Sequence, residues 1–191
     1  MINFDGIVIL ASASPRRQEL VKLIFDNVEI LPADCDETLP EGIGAQEAVE
    51  YLSKIKNEAS AKLTDKENLI ISADTVVAVD DEILGKPVDK EDARRMISLL
   101  SGKVHQVYTG VTLSLNGREK TFSEKTDVEF FSLMENEIEE YISSSEPYDK
   151  AGAYGIQGKA GLLVKGINGD YYNVVGFPIA RLKREIEEFI R

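Results

Sequence analysis

One cysteine, one histidine and no tryptophan stand in a chain of 191 residues. With Cys35 alone, no internal disulfide can form. With His105 as the only histidine, neither a Cys-rich zinc site nor a multi-histidine metal centre can be built. A divalent cation would have to be held by carboxylates, water and substrate oxygens, which suits magnesium or manganese. Positive charge is also short: 22 Lys and Arg face 34 Asp and Glu, a net charge of −12. Such a surface repels DNA and RNA, although a small anion needs only a local cluster of cations. No stretch approaches roughly 18 uncharged apolar residues, so no membrane span is expected. The opening MINFDGIVIL lacks the basic flank, apolar length and cleavage site of a signal peptide, and a cytoplasmic location is the default expectation.

What is present is the composition of a folded protein, 43% apolar and 29% charged. The length suits one domain over residues 1–191, built as two lobes. Residues 7–10 form a short apolar strand candidate leading into ASASPRRQELVKLIF. Ser14 before Pro15 marks a helix start, and Leu20, Leu23 and Ile24 extend the helical spacing to about Phe25. VEILPAD reads as a second strand ending at Pro32. A long helix is expected from about Ala45 to Leu63, followed by the strong β segment LIISADTVVAVD. DKEDARRMISLLSG carries a helix capped by Asp89, with Asp92 in the capping-box position and Gly102 as its stop. Asn116-Gly117 between two alternating segments signals a hairpin. LMENEIEEYISSSEP and FPIARLKREIEEFI read as helices, with a glycine-rich stretch and a strand over LLVKGINGD between them. This order predicts an α/β fold with a mixed sheet covered by helices.

Several residues call for a chemical reason. Arg16 and Arg17 sit at the start of the first helix, where the backbone already carries partial positive charge. A phosphate would resolve that conflict, taking bonds from backbone N–H groups, from the Ser12 or Ser14 hydroxyls and from a guanidinium. The plain alternative is two solvated arginines paired with Glu19. Asp74 lies within an apolar strand, and a carboxylate there needs a partner or a cation. It is a candidate metal ligand or base for an attacking water, or a structural group satisfied by backbone and Thr75. Lys86 in LGKP could reach phosphate or be an ordinary turn lysine. Lys56, taken alone, reads as surface charge. Asp36 and Glu37 could help hold a cation. Gln157, between Gly155 and Gly158, could read a base edge with its amide; otherwise the segment is a tight, mobile connector. His105 reads as a structural residue, and Cys35 shows no basic partner that would make it a nucleophile.

Taken in order, LASASPRRQEL (10–20), SADTVV (72–77), LGKP (84–87), SGKVHQVYTGV (101–111), DKAGAYGIQG (149–158) and INGDYYNVVGFP (167–178) resemble the Maf family of nucleoside triphosphate pyrophosphatases over nearly the whole chain. The resemblance implies two lobes around an elongated, twisted mixed sheet, a fold shared with inosine-triphosphate-type pyrophosphatases. It implies cleavage between the α and β phosphates with a divalent cation, Mg²⁺ or Mn²⁺. The family's serine and two arginines fall on Ser12, Arg16 and Arg17, its lysines on Lys56 and Lys86, its central aspartate on Asp74 and its glutamine on Gln157. The acidic pair falls on Asp36 and Glu37. Asp74, with Lys86, Arg16 and Lys56, is thereby expected to serve the chemistry, while Arg17 either binds phosphate or orients a neighbouring acid. Asp74, Glu37 and Asp36 are the expected metal ligands. The AGAYGIQG form resembles the branch acting on dTTP and UTP, with modified pyrimidine triphosphates as further candidates and a homodimer suggested. Non-standard purine triphosphates, or a non-catalytic nucleotide-binding role in septation, are the alternatives. Asn57 and Glu58 depart from the alanine and the basic or small residue usual beside the helix lysine.

Overall fold

A computed structural model describes all 191 residues. Its strands are β1 (Val8–Leu10), β2 (Glu29–Ile30), β3 (Leu69–Val79), β4 (Glu82–Leu84), β5 (Val104–Leu115), β6 (Arg118–Phe130) and β7 (Val164–Asn168). The helices are α1 (Pro15–Val21), α2 (Ala45–Ala61), α3 (Lys90–Leu100), α4 (Glu135–Ile142), α5 (Tyr171–Val175) and α6 (Ile179–Phe189). The strands form one seven-stranded sheet in the order β2-β1-β3-β5-β6-β7, with β4 paired to β3. The sheet is mixed: β1 runs parallel to β2 and β3, whereas β3–β4 and β6–β7 are antiparallel. The expected α/β class and mixed sheet are thus observed. The chain divides into two compact units. The first comprises residues 1–74, 109–124 and 176–191, and the second 75–108 and 125–175.

In the first unit, β1 is apolar at every position because it is covered on both faces, as a central parallel strand must be. Its register sets Val8 opposite Leu69 and Leu10 opposite Ile71. Helix α2 buries Ala48, Val49 and Leu52, and α6 buries Leu182, Ile186 and Phe189, one helical face each. Gly110 on β5 permits a close approach. A Cβ there would lie 2.2 Å from the Val49 carbonyl oxygen.

In the second unit, the core gathers Val77, Leu84, Met96, Ile97, Phe130 and Tyr154. Asp89 caps α3 by accepting from Asp92 N at 2.8 Å. The Asp92 carboxylate accepts from Val88 N at 3.2 Å, so the second half of the box closes one residue before the cap. Asn116 and Gly117, at φ 53° and 77°, make the two-residue turn between β5 and β6.

The structure differs from the sequence reading, or adds to it, at three points. Helix α1 ends at Val21 rather than Phe25, and Leu23 is left exposed. Its helical spacing came from a turn that follows the helix. Ser14 takes the cap position without a side-chain bond. Instead, its backbone N–H donates to Ser12 Oγ at 3.3 Å. The short α5 lies in a segment with too little apolar periodicity to announce a helix.

Candidate active site

The first unit brings several of the expected residues together. Lys56 sits on α2, half-buried, and its Nζ donates to Asp74 Oδ1 and lies 2.8 Å from Glu37 Oε2. Burial alone would pull the ammonium pKa down. The two carboxylates outweigh it and hold the group above its ordinary value. Asp74 is therefore a strand carboxylate satisfied by a cation rather than by Thr75 alone. Lys56 is not a surface charge, because its helix face is turned onto β3.

Arg17 bonds to two backbone carbonyls. Its Nε donates to Gly176 O at 2.8 Å and its Nη1 to Ala73 O at 2.7 Å, with Ser12 Oγ at 3.4 Å. Burial lowers the pKa of this guanidinium, Asp74 opposes that shift, and neighbouring Arg16 adds to it. Arg17 therefore fastens α1 to the residue preceding Asp74. Arg16 is partly exposed next to it. Helix α1 has only seven residues, so its dipole is a minor part of any anion site.

Asp36 is exposed, and its Oδ1 accepts from Thr38 N at 3.0 Å. No set of three or more His, Cys, Asp or Glu side chains converges. The pair that does converge, Glu37 and Asp74, fits a magnesium-type ion, which takes one or two protein carboxylates and completes its shell with phosphate and water. Near this pair, burial and then Glu37 raise the Cys35 thiol pKa, while Lys56 partly opposes them. The thiol is thereby harder to ionise than a free one, which disfavours it as a nucleophile.

Beneath the pair lies a polar network that sequence reasoning did not identify. Asn57 is fully buried and donates Nδ2 to Ile70 O at 3.3 Å and Thr112 O at 3.0 Å, while Oδ1 accepts from Ser114 at 2.6 Å. Ser72 Oγ donates to Ser53 O at 2.7 Å. Together they tie α2 to β3 and β5 on either side of the Lys56–Asp74 contact. The one available signal was that Asn57 replaces the family's alanine.

Lys86 and Gln157 belong to the second unit, and both are exposed. Gly152 N donates to Gly85 O at 2.9 Å, so the loop bearing Lys86 is fixed to the glycine-rich segment. Gln157 lies in the turn closed by Gly158 N to Gly155 O at 3.1 Å. Residues 152–154, just before that turn, are buried. Gly152 has φ +65° and no room for a Cβ against Val77. His105 is fully buried, with Nε2 2.7 Å from Tyr154 Oη and its ring edge-on to Phe130. It is structural, as expected.

Fold and site together define an α/β protein with a mixed sheet and a lysine held between two carboxylates beside a pair of arginines. A family model described as Maf-like protein matches residues 7–189. The chain is 50% identical to a dTTP/UTP pyrophosphatase of Agathobacter rectalis, covering 95% of this chain and 96% of that one. It is 52% identical to the dTTP/UTP pyrophosphatase of Carboxydothermus hydrogenoformans, over 95% and 98%. The chain belongs to the Maf family of nucleoside triphosphate pyrophosphatases, in the branch of these relatives. Among solved structures, the Ham1 proteins of Staphylococcus aureus and Coxiella burnetii share the fold. Their TM-scores are 0.54 and 0.56, at 17% and 14% identity, and each match covers 96% of this chain and 99% of the other. No helix is long and apolar enough to cross a membrane.

Proposed function

We propose that the chain hydrolyses dTTP and UTP, and modified pyrimidine nucleoside triphosphates like them, between the α and β phosphates. The products are a nucleoside monophosphate and pyrophosphate. The observation that carries this reading is the convergence of Glu37 and Asp74 on Lys56, one residue along β3 from the carbonyl that holds Arg17. The names of the similar chains support the choice of pyrimidines.

In this reading Asp74 positions the attacking water and accepts its proton as the oxygen bonds to the α-phosphorus. The bond from that phosphorus to the bridging oxygen breaks, and pyrophosphate leaves with the electron pair. Lys56 and Arg16 offset the developing charge, and Ser12 donates to a phosphate oxygen. Lys86 as a phosphate contact and Gln157 as the base contact are carried by their family motifs. Glu37 and Asp74 would hold Mg²⁺ or Mn²⁺, which would neutralise phosphate charge when bound; Asp36, expected as a further ligand, does not converge with them and accepts from Thr38 N instead. Arg17 orients Asp74 through the Ala73 carbonyl rather than taking phosphate.

The test is hydrolysis of a panel of pyrimidine, purine and inosine triphosphates with Mg²⁺ or Mn²⁺, measuring pyrophosphate and orthophosphate separately. The expected result is pyrophosphate from dTTP and UTP, abolished by chelation of the metal. Orthophosphate as the only direct product overturns the assigned bond. A preference for inosine triphosphate moves the substrate to non-standard purines, and binding without turnover marks a nucleotide-binding regulator.

A further inference from the structure

The turn that bears Gln157 stands on two charged side chains. At its entry, a Cβ on Gly155 would lie 2.6 Å from Lys150 Cε. At its exit, a Cβ on Gly158 would lie 2.4 Å from the Glu146 carboxyl carbon and from both of its oxygens. A side chain at either position would therefore push the end of Lys150 or of Glu146 out of its place, and neither glycine has a positive φ. Glu146 then takes the backbone that follows. Its Oε2 accepts from Lys159 N at 2.8 Å and its Oε1 from Ala160 N at 3.3 Å. The buried Tyr141 hydroxyl lies 3.4 Å from Oε1 and donates to Ala153 O at 3.1 Å. Lys150 Nζ is tied to the Glu146 carbonyl at 2.7 Å and to Asp149 at 2.5 Å, so the two supports are linked.

We propose that Glu146 is a positioning residue for base recognition: by accepting from Lys159 N and Ala160 N while packed on Gly158, it fixes the height and direction of the turn that presents Gln157. The inference rests on the reading of Gln157 as the base contact. A carboxylate suits this place because only an acceptor-only group meets two backbone N–H groups without turning a donor toward one of them. An exposed amide at the tip of a turn can select a base only if its backbone is held, since a displaced amide loses bonds made in a fixed geometry. Neither Glu146 nor Lys150 reaches past the turn in these bonds, so their effect passes through the backbone of residues 155–160.

Glu146→Gln keeps the shape and replaces one acceptor by a donor facing a backbone N–H. Steady-state kinetics of the full chain should show KM for dTTP and UTP rising about tenfold, with a smaller fall in kcat. The preference over purine triphosphates should shrink by a similar factor. Amide exchange at residues 156–160 should speed up, while the thermal melt of the variant shows that the fold persists. Gly158→Ala should reproduce the kinetic effect without touching charge, and Glu146→Asp should restore part of the preference. Unchanged exchange and unchanged preference in Glu146→Gln overturn the proposal. Gln157→Ala separates the two readings. If it removes the preference while Glu146→Gln keeps it, Glu146 is not the positioning residue. If Glu146→Gln removes the preference and Gln157→Ala keeps it, the turn still selects the base through Glu146, and the reading of Gln157 fails.

Discussion

The Lys56 ammonium is hydrogen-bonded to the Asp74 carboxylate and simultaneously bridges to Glu37. A cation already occupies the point where these carboxylates meet, so the acid proposed for catalysis and the ligands proposed for metal are organised around a lysine. In Asp74→Asn the amide keeps the shape but loses the charge and the basicity. We expect kcat to fall by about 10²–10⁴-fold, with nucleotide affinity changed far less. Pyrophosphate release measured beside equilibrium binding of dTTP checks this, and near-normal turnover would defeat the role.

Removing the other partner should cost stability. Lys56→Met leaves Asp74, whose side chain is only 14% exposed, without its cation. A destabilisation of about 1–3 kcal/mol is expected, since a largely buried charge loses its pair. The raised Lys56 pKa sets the pH window. Stability from the pair is complete below the ordinary lysine value of 10.5 and is lost only as pH rises through the higher folded value. Denaturant melts at pH 7 and pH 9 should therefore give the same difference between wild type and variant. A difference that vanishes by pH 9 contradicts the ion pair.

Gly110 sets how closely α2 approaches β5. A methyl group there would meet backbone atoms of Val49 and Glu50 at 2.2–2.8 Å, and backbone cannot rotate away as a side chain can. Gly110→Ala should cost roughly 1–3 kcal/mol and lower activity, because α2 carries Lys56. A variant with wild-type melting and turnover would show that the helix moves freely.

Much of this organisation was legible in the sequence for identifiable reasons. The hairpin followed from Asn116-Gly117, since few other pairs adopt two positive φ angles in succession. Helix α3 followed from Asp89, and Asp74 stood out as a charge in an apolar strand. Lys56 did not stand out: its partner is eighteen residues away on another element, and helical spacing does not reveal which face meets β3. Asn57, Ser72 and Thr112 look like ordinary polar residues until burial shows that their bonds close on one another. Glu146 was lost among 34 acids, because its partners are backbone N–H groups thirteen and fourteen residues later, which no side-chain pattern announces.

His105 supplies a prediction in pH. Burial pushes its imidazole down to about 4 from the ordinary 6.5. Between those values the unfolded chain binds a proton that the folded chain refuses. Stability from the neutral ring is therefore present above about pH 6.5 and is lost as pH falls toward about 4, an effect on the order of 3 kcal/mol. His105→Gln should be less stable at pH 7, through lost packing against Phe130 and Tyr154. Its stability should also decline less steeply than that of the wild type between pH 6.5 and 4. Parallel curves for the two proteins across that range would show that His105 does not carry the dependence.

Arg16 and Arg17 are adjacent in sequence but should fail differently. Arg17 spans two carbonyls, Ala73 O and Gly176 O, with nitrogens of one planar group. A lysine has a single ammonium and cannot keep that fork. Arg17→Lys should lose about 2–3 kcal/mol of stability, because two bonds to a charged donor are broken and buried carbonyls are exposed to poor partners. Its kcat should fall with little change in KM, since Asp74 is displaced through Ala73 and no phosphate contact is removed. Arg16→Lys keeps the charge but not the fork, and should raise KM with kcat changed less, as expected for a guanidinium that meets the triphosphate. Melting curves and the split between kcat and KM check both variants. If Arg17→Lys raises KM alone at unchanged stability, Arg17 is a phosphate ligand, and the orientation of Asp74 is set elsewhere.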